Sequence, residues 1–375
     1  MARTLYRLTG SVISRQLKVF LVLSLTGTAL QAQYVSLDQQ EIIRLQHLTA
    51  SDTEVQHFYD GFQRLADRAL KEDPHPIDTI RTEGLLKGNP KKTATAAALT
   101  DMPKMYALAL VFRMSRDKKY LEKVAEYLKA WAGYNTPNGD PIDDTNLDAA
   151  IEAYDLVAAD LSPSDALLIQ NWLQRTAEIE ISSPRNQPNR QTSYNNWHSH
   201  RLKIIGEIAF AIRDTALQNY TIGALKTQLE RNLNPDGSSI DFTLRDALHY
   251  HVYDLEPLLQ LAIVLQRATK VNYYGYPSAT GSSIQKSVNW LLPYLDGEKT
   301  HPEYVNSTVN FDQQRAKNNE AGFTIGAAFD PKNGIPVLLL AAYFDPSLLP
   351  LARKLLATDT PYPAWQTVLN HLAQQ

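Results

Sequence analysis

The chain of 375 residues contains no cysteine, which excludes disulfides, thiolate nucleophiles and a lipid-bearing cysteine. It also has no Ser/Gly-rich linker and no low-complexity run, so residues 33–375 read as one domain. Acidic residues are missing from the first 32 positions, where Arg3, Arg7, Arg15 and Lys18 precede the apolar run Val19 to Leu25 and a small, polar stretch ending at Ala32. That run falls well short of the ~20 residues needed to span a bilayer. Residues 1–32 therefore read as a cleaved secretory signal rather than a membrane anchor, and the product is expected in the periplasm or outside the cell. Cleavage removes four positive residues and no acid, moving the formal charge from −3 to −7. An acidic chain argues against nucleic acid as partner. If the ligand is itself an anionic polymer, its site must be locally basic. No ligand spacing compels a metal ion, and no cofactor is expected.

Convincing alternating strands are scarce, and helical periodicity dominates: Met102 to Phe112, Tyr120 to Trp131 and Leu147 to Ala158 repeat apolar residues at three and four positions. Asp143-Asp144-Thr145, Ser162-Pro163-Ser164 and Asp345-Pro346-Ser347 mark helix starts. Pro257 marks a further start or a kink. Leu202 to Ile212 and Leu255 to Leu265 are apolar around most of their circumference, the pattern of helices buried on all sides. The expected fold is all-α, a barrel or toroid of paired helices with these two in its inner ring. Their N-terminal ends open onto the central cleft, where backbone amides favour bound carboxylates.

The residues with the most chemistry lie just before those two helices: Tyr194-Asn195-Asn196-Trp197-His198-Ser199-His200-Arg201, then Asp236-Gly237-Ser238, then Arg245 to Tyr253. Amides, imidazoles, a guanidinium and phenols together can neutralise a sugar carboxylate and move a proton beside it. On a helix beginning near Asn195, that residue shares a face with His198, Leu202, Ile205 and Ala209, whereas Asn196, His200, Lys203 and Glu207 share another. This predicts His198 inward and His200 exposed. Against this stand plainer roles: a satisfied core histidine, an Asn cap, a packing tyrosine. Arg245, His249, Tyr250, His251 and Tyr253 nonetheless fall within nine residues.

The order Asn-Asn, His, Asp-Gly, then Arg245 and Tyr250-His251-Val252-Tyr253-Asp254-Leu255 with Pro257 beyond resembles the alginate lyase family of α/α-barrel polysaccharide lyases. The loop from Thr136 to Ile142 and the segments Glu83 to Leu85 and Met105 to Leu108 are similar too. Two departures stand out. Trp197 occupies the place where the best-known branch has its histidine, and Arg245 lies eight rather than seven positions before Tyr253. The chain thus resembles a divergent branch that includes enzymes for glucuronan as well as alginate.

The resemblance implies β-elimination on a uronic-acid polymer. Asn195 or Asn196, together with His198 and Arg245, would neutralise the carboxylate. Tyr253 would be the acid, and also the base for syn elimination with a depressed pKa, while His198 would be the base for anti elimination. Tyr250 is the reserve for Tyr253. His249, His251, His200 and Trp197 would contact the substrate or orient the network, and Lys91, Lys92 and Arg315 would meet carboxylates of flanking sugars. A glycoside hydrolase would instead need an acid pair, for which Asp241, Asp246 and Glu256 are available. A non-catalytic sugar binder would need exposed platforms from Trp131, Trp197 or Trp290.

Overall fold

The computed structural model describes residues 35–374; the expected signal segment and its cut after Ala32 lie outside the described residues. Asp38 opens α1 (Gln39–Ser51) with a reciprocal capping box to Glu41, and Asp52 caps α2 (Thr53–Ala69). The chain continues through α3 (Pro90–Ala98), α4 (Asp101–Ser115), α5 (Lys118–Tyr134), α6 (Pro141–Asp144), α7 (Asp148–Val157) and α8 (Pro163–Ser182). Next come α9 (Asn196–Ala211), α10 (Thr215–Asn232), α11 (Ile240–Arg245), α12 (Leu248–Thr269) and α13 (Ile284–Leu295). Last are α14 (Asn310–Lys317), α15 (Ile335–Ala341), α16 (Leu349–Leu356) and α17 (Trp365–Ala373). Among the described residues extended pairing is limited to two isolated bridges, and no helix is long and apolar enough to cross a membrane.

α4, α7, α9, α12 and α15 stand side by side, each against the next. α5, α10, α13 and α16 fold back on the inner helix preceding them, and α8 lies across α5 and α9. α17 touches α15 and α1, and α1 touches α4, which closes the ring. This is the all-α toroid of paired helices that the periodicity predicts. Every residue from Leu202 to Ile212 is buried, as the uniformly apolar pattern requires. Ile204, Ile205 and Ile208 join the core of the first half, whereas Leu202 and Phe210 join that of the second, so α9 is the seam between them. Gly206 permits this, because a Cβ there would collide with the Leu261 side chain of α12.

Two expectations change. Asp143 and Asp144 do not cap a helix; they lie inside α6, which Asp140 caps and Pro141 begins. The Asp143 carboxylate is used for tertiary contacts, accepting from the Thr82 and Glu83 amides at 2.5 and 2.9 Å. Of the start or kink expected at Pro257, the start is excluded, since α12 runs through it.

The axis of the ring is polar. Asp148 and Glu152 on α7, His200, Lys203 and Glu207 on α9, and Tyr253, Glu256 and Gln260 on α12 form three stripes lining the internal space.

Candidate active site

Ser199 and Arg201 set the rotation of α9. The Ser199 hydroxyl donates to Asp254 of α12 at 2.6 Å and accepts from Gln228 of α10 at 2.9 Å. Arg201, with no exposed side-chain surface, donates from Nε to Glu180 of α8 at 2.9 Å. His200, between them in sequence, faces the axis. His198 lies about 200° round the helix, in the field of Arg201 and of Arg231 on α10. The helical grouping of these residues is as the sequence predicts, but the face is the opposite one: His200 lines the cleft and His198 does not.

The cleft has two lobes that meet at Tyr253, Glu83, Ile142 and Arg315. The first, of about 580 Å³, is aromatic and basic: Asn196, Trp197, Arg245, His249, Tyr250, Phe311 and Phe323 complete its wall. The second, of about 1090 Å³, is polar, with Lys92, Thr145, Asp148, His200, Lys203 and Glu256 along it.

The Tyr253 ring lies 4.4 Å from His200, tilted by 42°, and is parallel to His249 at 6.5 Å. Burial, reinforced by the Glu83 carboxylate, pushes the Tyr253 phenol pKa well up, against the opposing Arg315. This corrects the expected depressed value: the hydroxyl is held protonated. Burial pushes His200 well below the usual imidazole range, with Lys203 adding to the effect, so its ring is neutral. Its Nδ1 lies 3.2 Å from Thr145 Oγ1. His198 and His249 are also driven down, to about 3 and about 4, by burial first and then by nearby arginines.

Arg245 pairs with Asp312 and stacks its guanidinium 3.8 Å over the Tyr250 ring. Arg315 is less committed: it donates to the Tyr250 hydroxyl at 2.8 Å and lies between Phe311 and Phe323, 4.5 Å from each ring. Among the described residues its Nε has no hydrogen-bond partner, and it faces Glu320 at 3.8 Å. Asn196 lines the cleft while its amide donates to buried Asp241. Trp197 lies beneath the Arg185 guanidinium at 5.0 Å.

Several nominated residues stand elsewhere. Asn195 caps α9, accepting from the Trp197 amide at 3.1 Å. His251 is fully buried against Trp290, with its nitrogens beside Ser239 Oγ and the Ser287 carbonyl. Lys91 is exposed and lines neither lobe. Nor are the helix N-termini open to substrate. Asp241 accepts from the Asn196 amide of α9 at 2.8 Å, and Glu303 accepts from Leu248 and His249 of α12 at 2.8 and 3.0 Å. The hydrolase acids do not pair across the cleft: Asp241 holds Asn196 and Asn232, and Asp246 binds Asn306 and His301. Of the platform tryptophans, Trp131 is buried on Asp101, and Trp290 packs between Phe242 and Tyr294. Among the described residues no group of three or more His, Asp or Glu is placed to hold a metal ion.

The structure adds Glu83, Lys203 and Phe323 to the cleft wall, and of the three acids available for hydrolysis it places Glu256 there. Lys203 carries a signal in the sequence, the one cation in the apolar run from Leu202 to Ile212, with Glu207 one turn on. Burial works against its charge, yet Asp148 and Glu207 hold its pKa above the ordinary value.

The alginate lyase family profile matches residues 48–301, and the chain belongs to that family, as a polysaccharide lyase. A crystal structure of an alginate lyase from Bacteroides ovatus superposes with a TM-score of 0.67 at 17% identity, covering 91% of this chain and 99% of that one. Alginate lyase A1-III from Sphingomonas species A1 gives 0.54 at 18%, covering 81% and 95%. A tyrosine-to-phenylalanine variant of A1-III complexed with a tetrasaccharide gives 0.55 at 18%, covering 82% and 95%. At these identities the structural likeness speaks to the fold. No curated protein matches significantly.

Proposed function

We propose that the enzyme cleaves a uronic-acid polymer, polymannuronate or glucuronan, by β-elimination, with His200 as base and Tyr253 as acid. The observation that carries this reading is the ring contact between His200 and Tyr253 in a cleft that also holds Arg315, where burial favours the neutral imidazole and the protonated phenol. The C5 proton of a uronate becomes removable once the adjacent carboxylate is neutralised and charge can develop on it. Arg315 supplies the cation, and the second N–H of the Asn196 amide a further donor. His200 already carries a lone pair at neutral pH and takes the C5 proton. Tyr253 protonates the departing O4, leaving a 4,5-unsaturated sugar at the new non-reducing end. Tyr253 as base would first have to ionise where burial and Glu83 oppose it.

Two groups in ring contact reach the sugar from one side, which suits syn elimination. In D-mannuronate and D-glucuronate the C5 hydrogen and O4 lie on one side in gauche relation, whereas guluronate, epimeric at C5, sets them anti. Absorbance at about 235 nm, where conjugated uronates absorb, followed on each polymer in parallel, tests the reading. It should rise with polymannuronate or glucuronan and stay flat with polyguluronate; chain shortening without absorbance would mean hydrolysis. The basic leader followed by an apolar run supports an extracytoplasmic location, to be checked by finding Gln33 at the mature N-terminus.

A further inference from the structure

Two arginines line the aromatic lobe, and their partners differ in kind. Arg245 is neutralised where it stands by Asp312, a buried carboxylate that also accepts from the Ser307 hydroxyl at 2.6 Å. The planar guanidinium then lies 3.8 Å over the face of Tyr250. The Tyr250 hydroxyl in turn accepts from a terminal nitrogen of Arg315 at 2.8 Å. Arg315 is thus tethered by a phenol and not by a carboxylate. Burial, against the pull of Arg245 and Arg315, pushes that phenol up to about 12, so the tether is neutral and fixes the guanidinium without cancelling its charge. The Phe311 and Phe323 rings hold Arg315 from two sides. The Glu320 carboxylate, 3.8 Å from Nε, already accepts from the Lys87 amide at 2.8 Å and from Asn318 at 3.1 Å. Of the five N–H donors on Arg315, one is spent on Tyr250, which leaves donors of the fork for an anionic ligand.

We propose that Tyr250 is a positioning residue for the elimination and that Arg245 acts behind it rather than on the sugar: Asp312 fixes Arg245, the Arg245 guanidinium fixes the phenol ring, and the phenol oxygen aims Arg315 at the uronate carboxylate. The division of labour follows from the partners. An arginine already paired with a buried carboxylate has little field left for a second anion, whereas one held by a neutral oxygen keeps it. The arginine of the Arg245 to Tyr253 motif is therefore the support, and the cation that meets the substrate comes from α14. This inference rests on the assignment of Arg315 as the neutralising cation.

The test is a double-mutant cycle between Tyr250 and Arg315, read in kcat and KM on the polymer that gives the absorbance rise. Tyr250→Phe removes one oxygen and keeps the ring over which Arg245 stacks. Its kcat should fall at least about fivefold with KM within about threefold, because charge develops on the carboxylate in the transition state. In an Arg315→Ala enzyme the same change should cost less than about twofold. Losses that multiply overturn the proposal, since Tyr250 would then act independently of Arg315, and so does an unchanged kcat in the single variant. If Tyr250→Phe does not fold, the cycle of Arg245→Lys with Arg315→Ala decides. Lysine keeps the charge beside Asp312 but removes the flat group over the ring. Coupled losses there support the chain of contacts, and multiplied losses place Arg245 on the substrate and overturn it. Failure of the underlying reading looks different: Arg315→Ala alone with kcat within about twofold of wild type removes the cation assignment and this inference with it, and a flat absorbance trace removes the elimination itself.

Discussion

Replacing Tyr253 by Phe removes one oxygen and leaves the rest of the ring in place. Among the described residues its hydroxyl makes no hydrogen bond, so no buried partner is orphaned and stability should change by no more than about 0.5 kcal/mol. The ring contacts with His200, His249 and Tyr250 survive. What is lost is the proton for O4. A positioned general acid contributes roughly 10²–10⁴-fold, equivalent to about 3–5 kcal/mol of transition-state stabilisation. Initial rates at about 235 nm should therefore fall by that factor, while calorimetric affinity for an oligouronate stays within about threefold, because the lost interaction belongs to the transition state. A well-folded variant retaining more than roughly a tenth of the wild-type rate would refute the role of Tyr253 as acid.

The two histidines of the motif should separate. His200→Ala should lower kcat by at least about 10²-fold, whereas folded His198→Ala should stay within about threefold; equal losses in both would sink the assignment. Glu152 is pushed up to about 8 by burial first and then by Asp148. The folded chain then keeps a proton that the unfolded chain releases above about pH 4.5, so stability falls as pH rises through that window to about 8. Thermal melts of Glu152→Gln should show a larger gain over wild type at about pH 8.5 than at about pH 5, and a gain independent of pH would contradict this. Gly237 has φ +100°, and a Cβ there would approach the Lys286 carbonyl oxygen and Trp290 Cβ at 2.7 Å. Gly237→Ala should cost about 1–3 kcal/mol in a denaturant titration, and no shift in midpoint would show that the Asp-Gly turn is not strained as described.

Periodicity alone determined the helical class, the paired organisation and the two helices buried on all sides, because an apolar residue at every position of a turn leaves no face for solvent. Local chemistry also determined which residues gather: His200, Lys203 and Glu207 share a stripe because a helix repeats every 3.6 residues. Tertiary contacts decided which stripe faces the axis. On a fully buried helix, apolar content no longer distinguishes inward from outward, and the rotation of α9 is set by Ser199 on Asp254 and Arg201 on Glu180, partners 55 and 21 positions away. The same limit explains Asn195 and His251, whose partners are a cap and a neighbouring helix rather than a ligand. It also explains Glu303 and Asp241, which fill helix ends that looked open. The ionisation of Tyr253 was equally out of reach. Whether a phenol is drawn down by an arginine or pushed up by burial depends on distances that only the closed ring of helices creates.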